Sequence, residues 1–158
     1  LDVDWGNYPY VTSSTTLPYG ACSLGFSPKS IRNIWGTAKI YDTRSGIDPL
    51  FPDSLFDDND LIRLGDLGEE YGVTTGRRRH VNWLRVDYMI NAINKSGVTH
   101  IVINKCDIIK KLNIYRVINN DSIINFLNIE DMISFIRNEI ISKTRVDEIY
   151  FSYSKENL

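Results

Sequence analysis

The sequence predicts an α/β fold, and three observations carry that prediction. "VTHIVINK" (98–105) is a short, almost uninterrupted apolar run of the kind that fills a buried parallel strand. "NIEDMISFIRNEIISKT" (128–144) places Ile129, Met132, Ile133, Ile136 and Ile140 on one helical face. Around these two segments helical and strand patterns alternate, as expected where helices flank a central, mostly parallel sheet.

The other elements follow in order. "LDVDWG" (1–6) reads as a strand-like stretch that starts inside a domain, so the chain reads as a piece of a longer polypeptide. "YPYVTSSTTLPYGAC" (8–22) is rich in hydroxyls, Pro and Gly, which marks a shaped loop. "SPKSIRNIW" (27–35) has Ser27 as a cap and Pro28 at the first helical position, predicting a helix to about Trp35. "TAKIYDTR" (37–44) alternates as one strand, with Ala38 and Ile40 on the same face. Pro49 and Pro52 make "SGIDPLFPDSLFDDND" (45–60) a long loop. A helix is expected from about Asp58 to Tyr71, weakened by Gly65 and Gly68. Another is expected in "WLRVDYMINAINKSG", with Leu84, Tyr88 and Ala92 at helical spacing and Gly97 as the stop. "VDEIYFSYS" (146–154) closes as a strand, and Trp5, Trp35 and Trp83 are assigned to the core.

A chain of 158 residues holds one domain with a real core. It is 42% hydrophobic and 24% charged with a formal net charge of -2, the composition of a globular protein. A pI near 5.7 argues against a general nucleic-acid or membrane-surface binder. Cys22 and Cys106 are the only cysteines, too few for a disulfide framework or a zinc site, so a reduced, cytoplasmic setting is the expectation.

Chemistry concentrates in three places. The strand "HIVINKCD" delivers Asn104, Lys105 and Asp107 to the carboxyl edge of a sheet, where α/β proteins bind ligands. A carboxylate at Asp107 can accept from both N1–H and the 2-amino group of guanine, and the Lys105 stem can lie along a purine face. The same residues also suit a solvated strand end with a helix-capping Asp. The run Thr12 to Thr16 offers hydroxyl donors to a phosphate, or a plain turn. "EYGVTTGRRRHVNW" (70–83) sets Thr74, Thr75 and Gly76 before three arginines, whose planar forks pair with carboxylate or phosphate. Three adjacent guanidiniums repel one another, so a solvated basic turn competes with an anion site. His80 and His100 read as satisfied imidazoles, and Asp57, Asp58 and Asp60 as a helix start.

Taken together and in order, these motifs resemble the adenylosuccinate synthetase family. "LDVDWGNYPYVTSS" is similar to that family's LDIDxGTYPYVTSS, and "AKIYDTRSG" to its strand leading into Thr-Arg-Val-Gly. "EYGVTTGRRRHVNWL" resembles EFGxTTGRRRRxGWL, and "NKCD" stands where the family has Thr-Lys-x-Asp. The resemblance implies a P-loop-NTPase-like fold, of which residues 1–158 form the C-terminal portion. It implies a ligase that joins aspartate to IMP with GTP and Mg2+ through a 6-phosphoryl intermediate, in a cytoplasmic homodimer. It assigns substrate binding to Thr12, Arg44, Thr75 and Arg77, and GTP binding to Arg79, Lys105, Asp107 and Ser152. It places the catalytic Asp and His, the metal site and the glycine-rich phosphate loop upstream, so no catalytic or metal residue is expected here. Departures are Ser45 for Val, "IDPLFPD" for GPFPTE, no Asn after Ser14, and a short tail. The tail resembles compact archaeal or viral forms, which keeps a viral acceptor, (d)GMP, open beside IMP, as well as a catalytically incomplete guanine-nucleotide-binding module.

Overall fold

A computed structural model describes residues 2–46 and 48–154. Two sheets share one core. Strands β1 (Trp35–Lys39), β4 (His100–Asn104) and β7 (Glu148–Phe151) form a parallel sheet in the order β1-β4-β7. Strands β2 (Tyr41–Arg44), β3 (His80–Arg85), β5 (Tyr115–Asn119) and β6 (Ser122–Phe126) form a mixed sheet in the order β2-β3-β5-β6. In it β2–β3 and β5–β6 are antiparallel and β3–β5 is parallel. The helices are α1 (Gly20–Ser23), α2 (Asn59–Leu67), α3 (Val86–Ser96), α4 (Cys106–Leu112) and α5 (Ile129–Lys143).

β4 is central because His100 to Asn104 carry apolar residues on both faces: Ile101, Val102 and Ile103 are all buried. α5 turns Ile129, Met132, Ile136 and Ile140 inward, and it packs on α3, β5 and β6. Asn128 caps it by accepting from Asp131 N–H at 2.8 Å. α2 starts where Asp58 accepts from the amides of Asp60 (2.9 Å) and Leu61 (3.1 Å), and it lies against β3 and α4.

Several expectations change. The predicted helix after Ser27 is a single 3-10 turn, Pro28–Ser30, because Ile34 commits its backbone to Thr99 and His100 at the start of the parallel sheet. "TAKIYDTR" is two strands: the chain breaks at Ile40, which is fully buried and donates to Asn104 O at 3.0 Å, and crosses between the sheets. α2 stops at Leu67 rather than Tyr71. The predicted helix at 83–97 begins only at Val86, since Leu84 belongs to β3. Its buried face is Val86, Met89, Ile90 and Ile93, with Tyr88 and Ala92 exposed. Trp83 is buried, whereas Trp5 (56%) and Trp35 (52%) are open to solvent. Residues 2–6 are a turn rather than a strand, and Leu1 and Ile47 lie outside the described residues. α1, α4 and the β5–β6 hairpin are elements the sequence pattern does not announce.

Candidate functional site

The carboxyl edge of the parallel sheet gathers polar residues from all three strands. Lys39 ends β1 opposite Asn104 at the end of β4, and Ser152 follows β7. Lys105 turns the chain sharply from β4 into α4 with φ 66° and ψ 21°, the left-handed region. Such a conformation costs a non-glycine residue on the order of 1–3 kcal/mol, so the surroundings must enforce it. They do so through Ser152, whose carbonyl accepts from Cys106 N–H (3.2 Å) and whose amide donates to Ile103 O (2.9 Å). Asp107 lies in the first turn of α4, 3.4 Å from Lys111, with its carboxylate about one-third exposed. Lys105, Asp107 and Ser152 therefore stand together. Between Lys105 and Asp107, burial pushes the Cys106 thiol up to about 12, which leaves it an inert neighbour.

From this edge a polar network runs inward. Lys105 Nζ donates to Gly68 O at 3.0 Å. Gly68 caps α2, and a Cβ there would sit 2.3 Å from the Tyr41 hydroxyl. That clearance lets Tyr41 donate to Glu70 Oε1 at 2.8 Å. Glu70 is almost wholly buried and also takes Lys39 Nζ on both oxygens (2.6 and 2.7 Å) and Arg79 Nη1 on Oε2 (3.0 Å). Burial works to raise the Glu70 carboxyl, but Lys39, Tyr41 and Arg79 outweigh it and hold it below the ordinary glutamate range. Burial lowers Lys39, Glu70 pulls it back up, and the like charges of Arg79 and Lys105 add to the lowering. The balance lies below the usual lysine range.

Residues 70–79 close into a narrow loop. Arg79 N–H donates to Glu70 O (2.9 Å) and Gly72 N–H to Arg77 O (2.8 Å), and Gly76 takes φ +64° at the tip. A side chain at Gly72 would meet Thr75 Oγ1 at 2.7 Å. The three arginines then part company. Arg77 is exposed on the loop, and among the described residues no carboxylate pairs with it. Arg78 is turned back, donating to Ile62 O (2.6 Å) and pairing with Asp66 (2.9 Å). Arg79 is held by Glu70. Their mutual repulsion is avoided by this divergence.

Arg79 and Arg44 both line a cleft of about 580 Å³, together with Arg85, Lys95, Asp42 and Asp48. Arg44 donates to Tyr10 O at 2.7 Å and lies 3.2 Å from Asp48, so it fastens the N-terminal loop to the end of β2. That loop is also closed by Asp2, which accepts from Asp4, Trp5, Thr16 and Leu17. Arg85 pairs with Asp42 at 2.7 Å and lies over the Phe51 and Tyr88 rings. Lys95 covers the exposed Trp5 ring. Thr12, Thr75 and Arg77 do not line this cleft; Thr12 Oγ1 donates to Ser14 O at 3.4 Å. Lys39, Tyr41, Glu70, Arg85 and Lys95 are site residues the motifs do not single out, although Glu70 opens the arginine block itself.

Among the described residues no three His, Cys, Asp or Glu side chains converge to hold a metal ion. His80 meets Phe51 O, and His100 meets Thr99 while stacking on Trp35. No helix among the described residues is long and apolar enough to cross a membrane.

Residues 1–124 match the family model described as adenylosuccinate synthetase. This chain belongs to the adenylosuccinate synthetase family. It is 44% identical to the adenylosuccinate synthetase of Phocaeicola vulgatus over 110 residues, covering 69% of this chain and 26% of the relative. It spans about a quarter of the length of the curated relatives it matches first. A fully ligated adenylosuccinate synthetase from Plasmodium falciparum superposes with a TM-score of 0.66 at 32% identity, over 75% of this chain and 28% of that one. The cyanophage S-2L succinoaminodeoxyadenylate synthetase (PurZ), bound to dGMP and to dATP as an energy donor, superposes with a TM-score of 0.60 at 18% identity. That match covers 97% of this chain and 40% of the other, and it speaks to the fold alone. The α/β prediction therefore holds through the final third, where motifs are sparse.

Proposed function

We propose that the complete protein is an adenylosuccinate synthetase, joining L-aspartate to the 6-position of IMP at the expense of GTP. The observation that carries this reading is the strand-to-helix turn at Lys105. It sets Asp107 and Ser152 side by side at a sheet edge and connects, through Gly68 and Glu70, to the arginines. In this reading Asp107 accepts from N1–H and the 2-amino group of guanine, Lys105 supports the purine face, and Ser152 touches the base. Arg79 meets the phosphates of GTP and the aspartate loop. Thr75 and Arg77 clamp the aspartate carboxylates, Thr12 holds the IMP phosphate, and Arg44 shapes the acceptor pocket. Orienting the aspartate amine and neutralising charge as phosphate leaves are the gains such cations offer.

With the family come Mg2+ bound alongside GTP, a homodimer and a cytoplasmic location. Mg2+ supplies charge neutralisation at the phosphates. In this reading its ligands and the general acid and base belong to upstream residues. The test is succinyl-product formation by the complete protein from aspartate, with GTP or ATP and with IMP, GMP or dGMP offered in parallel. Product from IMP with GTP supports the reading. Product from dGMP alone replaces the acceptor with a guanine deoxynucleotide, and GTP binding without product reduces the protein to a nucleotide-binding module.

A further inference from the structure

Glu70 has no assigned part in that chemistry, yet its carboxylate accepts four hydrogen bonds from three side chains. Lys39 and Tyr41 alone give the carboxylate three hydrogen bonds, Tyr41 from within the core and Lys39 from the end of β1, and they already satisfy the buried charge. Arg79 adds the fourth from outside, from a guanidinium whose side chain is 31% exposed and lines the cleft. Only Nη1 of that guanidinium faces Glu70. Arg78 shows what a purely structural arginine looks like here, tied to Ile62 O and Asp66 on the other side of the loop. The backbone repeats the grip on Arg79 alone, because Arg79 N–H bonds to the Glu70 carbonyl. Side chain and main chain of one residue thus fix both ends of the other.

We propose that Glu70 is a positioning residue, orienting Arg79 toward the anions that enter the cleft. The inference rests on the functional reading above for the identity of those anions, but not for the geometry. Lys39 keeps the Glu70 charge from drawing Arg79 fully inward, since it already occupies both carboxylate oxygens. Arg79 is therefore restrained without being neutralised in isolation, and its other nitrogens stay available to substrate. Glu70 and Arg79 form one functional unit in which the acid acts only through the base.

The experiment compares the complete protein with its E70Q, E70D, R79M and E70Q/R79M variants. E70Q keeps the size of the side chain but removes the charge and turns one oxygen into a donor. It is expected to raise the KM of aspartate or GTP at least tenfold, the loss of about one charged hydrogen bond, with the GTP:ATP preference unchanged. E70D keeps the charge that Lys39 needs, so it folds if E70Q does not, and it gives a smaller rise. In the R79M background E70Q adds less than twofold, because its target is gone. Unchanged KM values, or a full additional effect on top of R79M, overturn the proposal and leave Glu70 a structural acid. A wild-type protein that forms no product refutes the functional reading instead. The crystal structure of E70Q then decides the present inference: a displaced Arg79 guanidinium upholds it, and an unmoved one ends it.

Discussion

Replacing Gly68 by alanine tests the clearance on which the Glu70 network depends. The new methyl carbon would lie 2.3 Å from the Tyr41 hydroxyl, 3.2 Å from Leu64 O and 3.3 Å from Glu70 Cγ. Restoring an ordinary contact requires the hydroxyl to retreat by roughly 1 Å. The Tyr41–Glu70 bond is 2.8 Å, so a retreat of that size ends it and strands the buried Tyr41 hydroxyl, while Glu70 Oε1 keeps its bond to Lys39. Losing a hydrogen bond to a buried charged acceptor costs about 1.5–3 kcal/mol. Against this, Gly68 has φ -80° and ψ -6°, which alanine adopts freely. Reduced freedom of the unfolded chain then returns about 0.4–1 kcal/mol. The net expectation is a loss of about 1–2 kcal/mol. The assay is denaturant unfolding of the complete protein for G68A, Y41F and G68A/Y41F. Y41F removes the hydroxyl that collides, so the double variant should lose clearly less than the sum of the singles. Wild-type stability in G68A, or strict additivity, would refute the steric argument.

Other expectations follow from the same geometry. D107N should cut the GTP:ATP preference of the complete enzyme about tenfold to a hundredfold, the worth of one charged hydrogen bond, as read from competing kcat/KM values; an unchanged ratio removes Asp107 from base recognition. R77L should raise the aspartate KM with little effect on stability, whereas R78A, which frees Ile62 O and Asp66, should lower stability by about 1–2 kcal/mol and leave KM alone. If the two phenotypes are exchanged, the division of labour in the loop is wrong. The pH dependence also has a definite sign. Because the Glu70 carboxyl is held below its unfolded value, its stabilisation is complete above the ordinary glutamate range and is lost as pH falls through the depressed value. Acid unfolding followed by circular dichroism should therefore show a shallower acid-side loss in E70Q than in wild type.

Which elements are legible in the sequence depends on how much of their surroundings is local. β4 and α5 bury residues at the spacing of their own geometry, so composition and period suffice. The strand break at Ile40 is different: "TAKIYDTR" alternates through it, and only the hydrogen bond to Asn104, 64 positions on, separates β1 from β2. The end of β3 reads as helix because Leu84, Tyr88 and Ala92 stand at helical spacing, while its pairing with β2 is non-local. The β5–β6 hairpin turns at Asn120 and Asp121, both in the left-handed region, but Ser122 and Asn125 dilute its strand pattern. Trp5 and Trp35 escape burial for an equally non-local reason, one lying under Lys95 and the other stacked on His100 at the sheet surface.

For the site, the motif residues are visible and the residues that aim them are not. Three arginines in a row give one signal in sequence, an anion-binding turn, yet they occupy three environments. The difference is imposed by Asp66, Ile62 and Glu70, residues on α2 and at the root of the loop. A triplet in which every guanidinium faced solvent would gather charge and bind any anion weakly. Here one fork anchors the loop, one is restrained at the cleft and one is left at the tip, so the loop presents cations at two separate positions. Two anionic partners of different shape can then be met by adjacent residues, one to each. The proposed ligase would have to bring an amino acid and a nucleotide to the same centre, and the arrangement that would meet both rests on Glu70, which opens the arginine block without itself signalling an anion site.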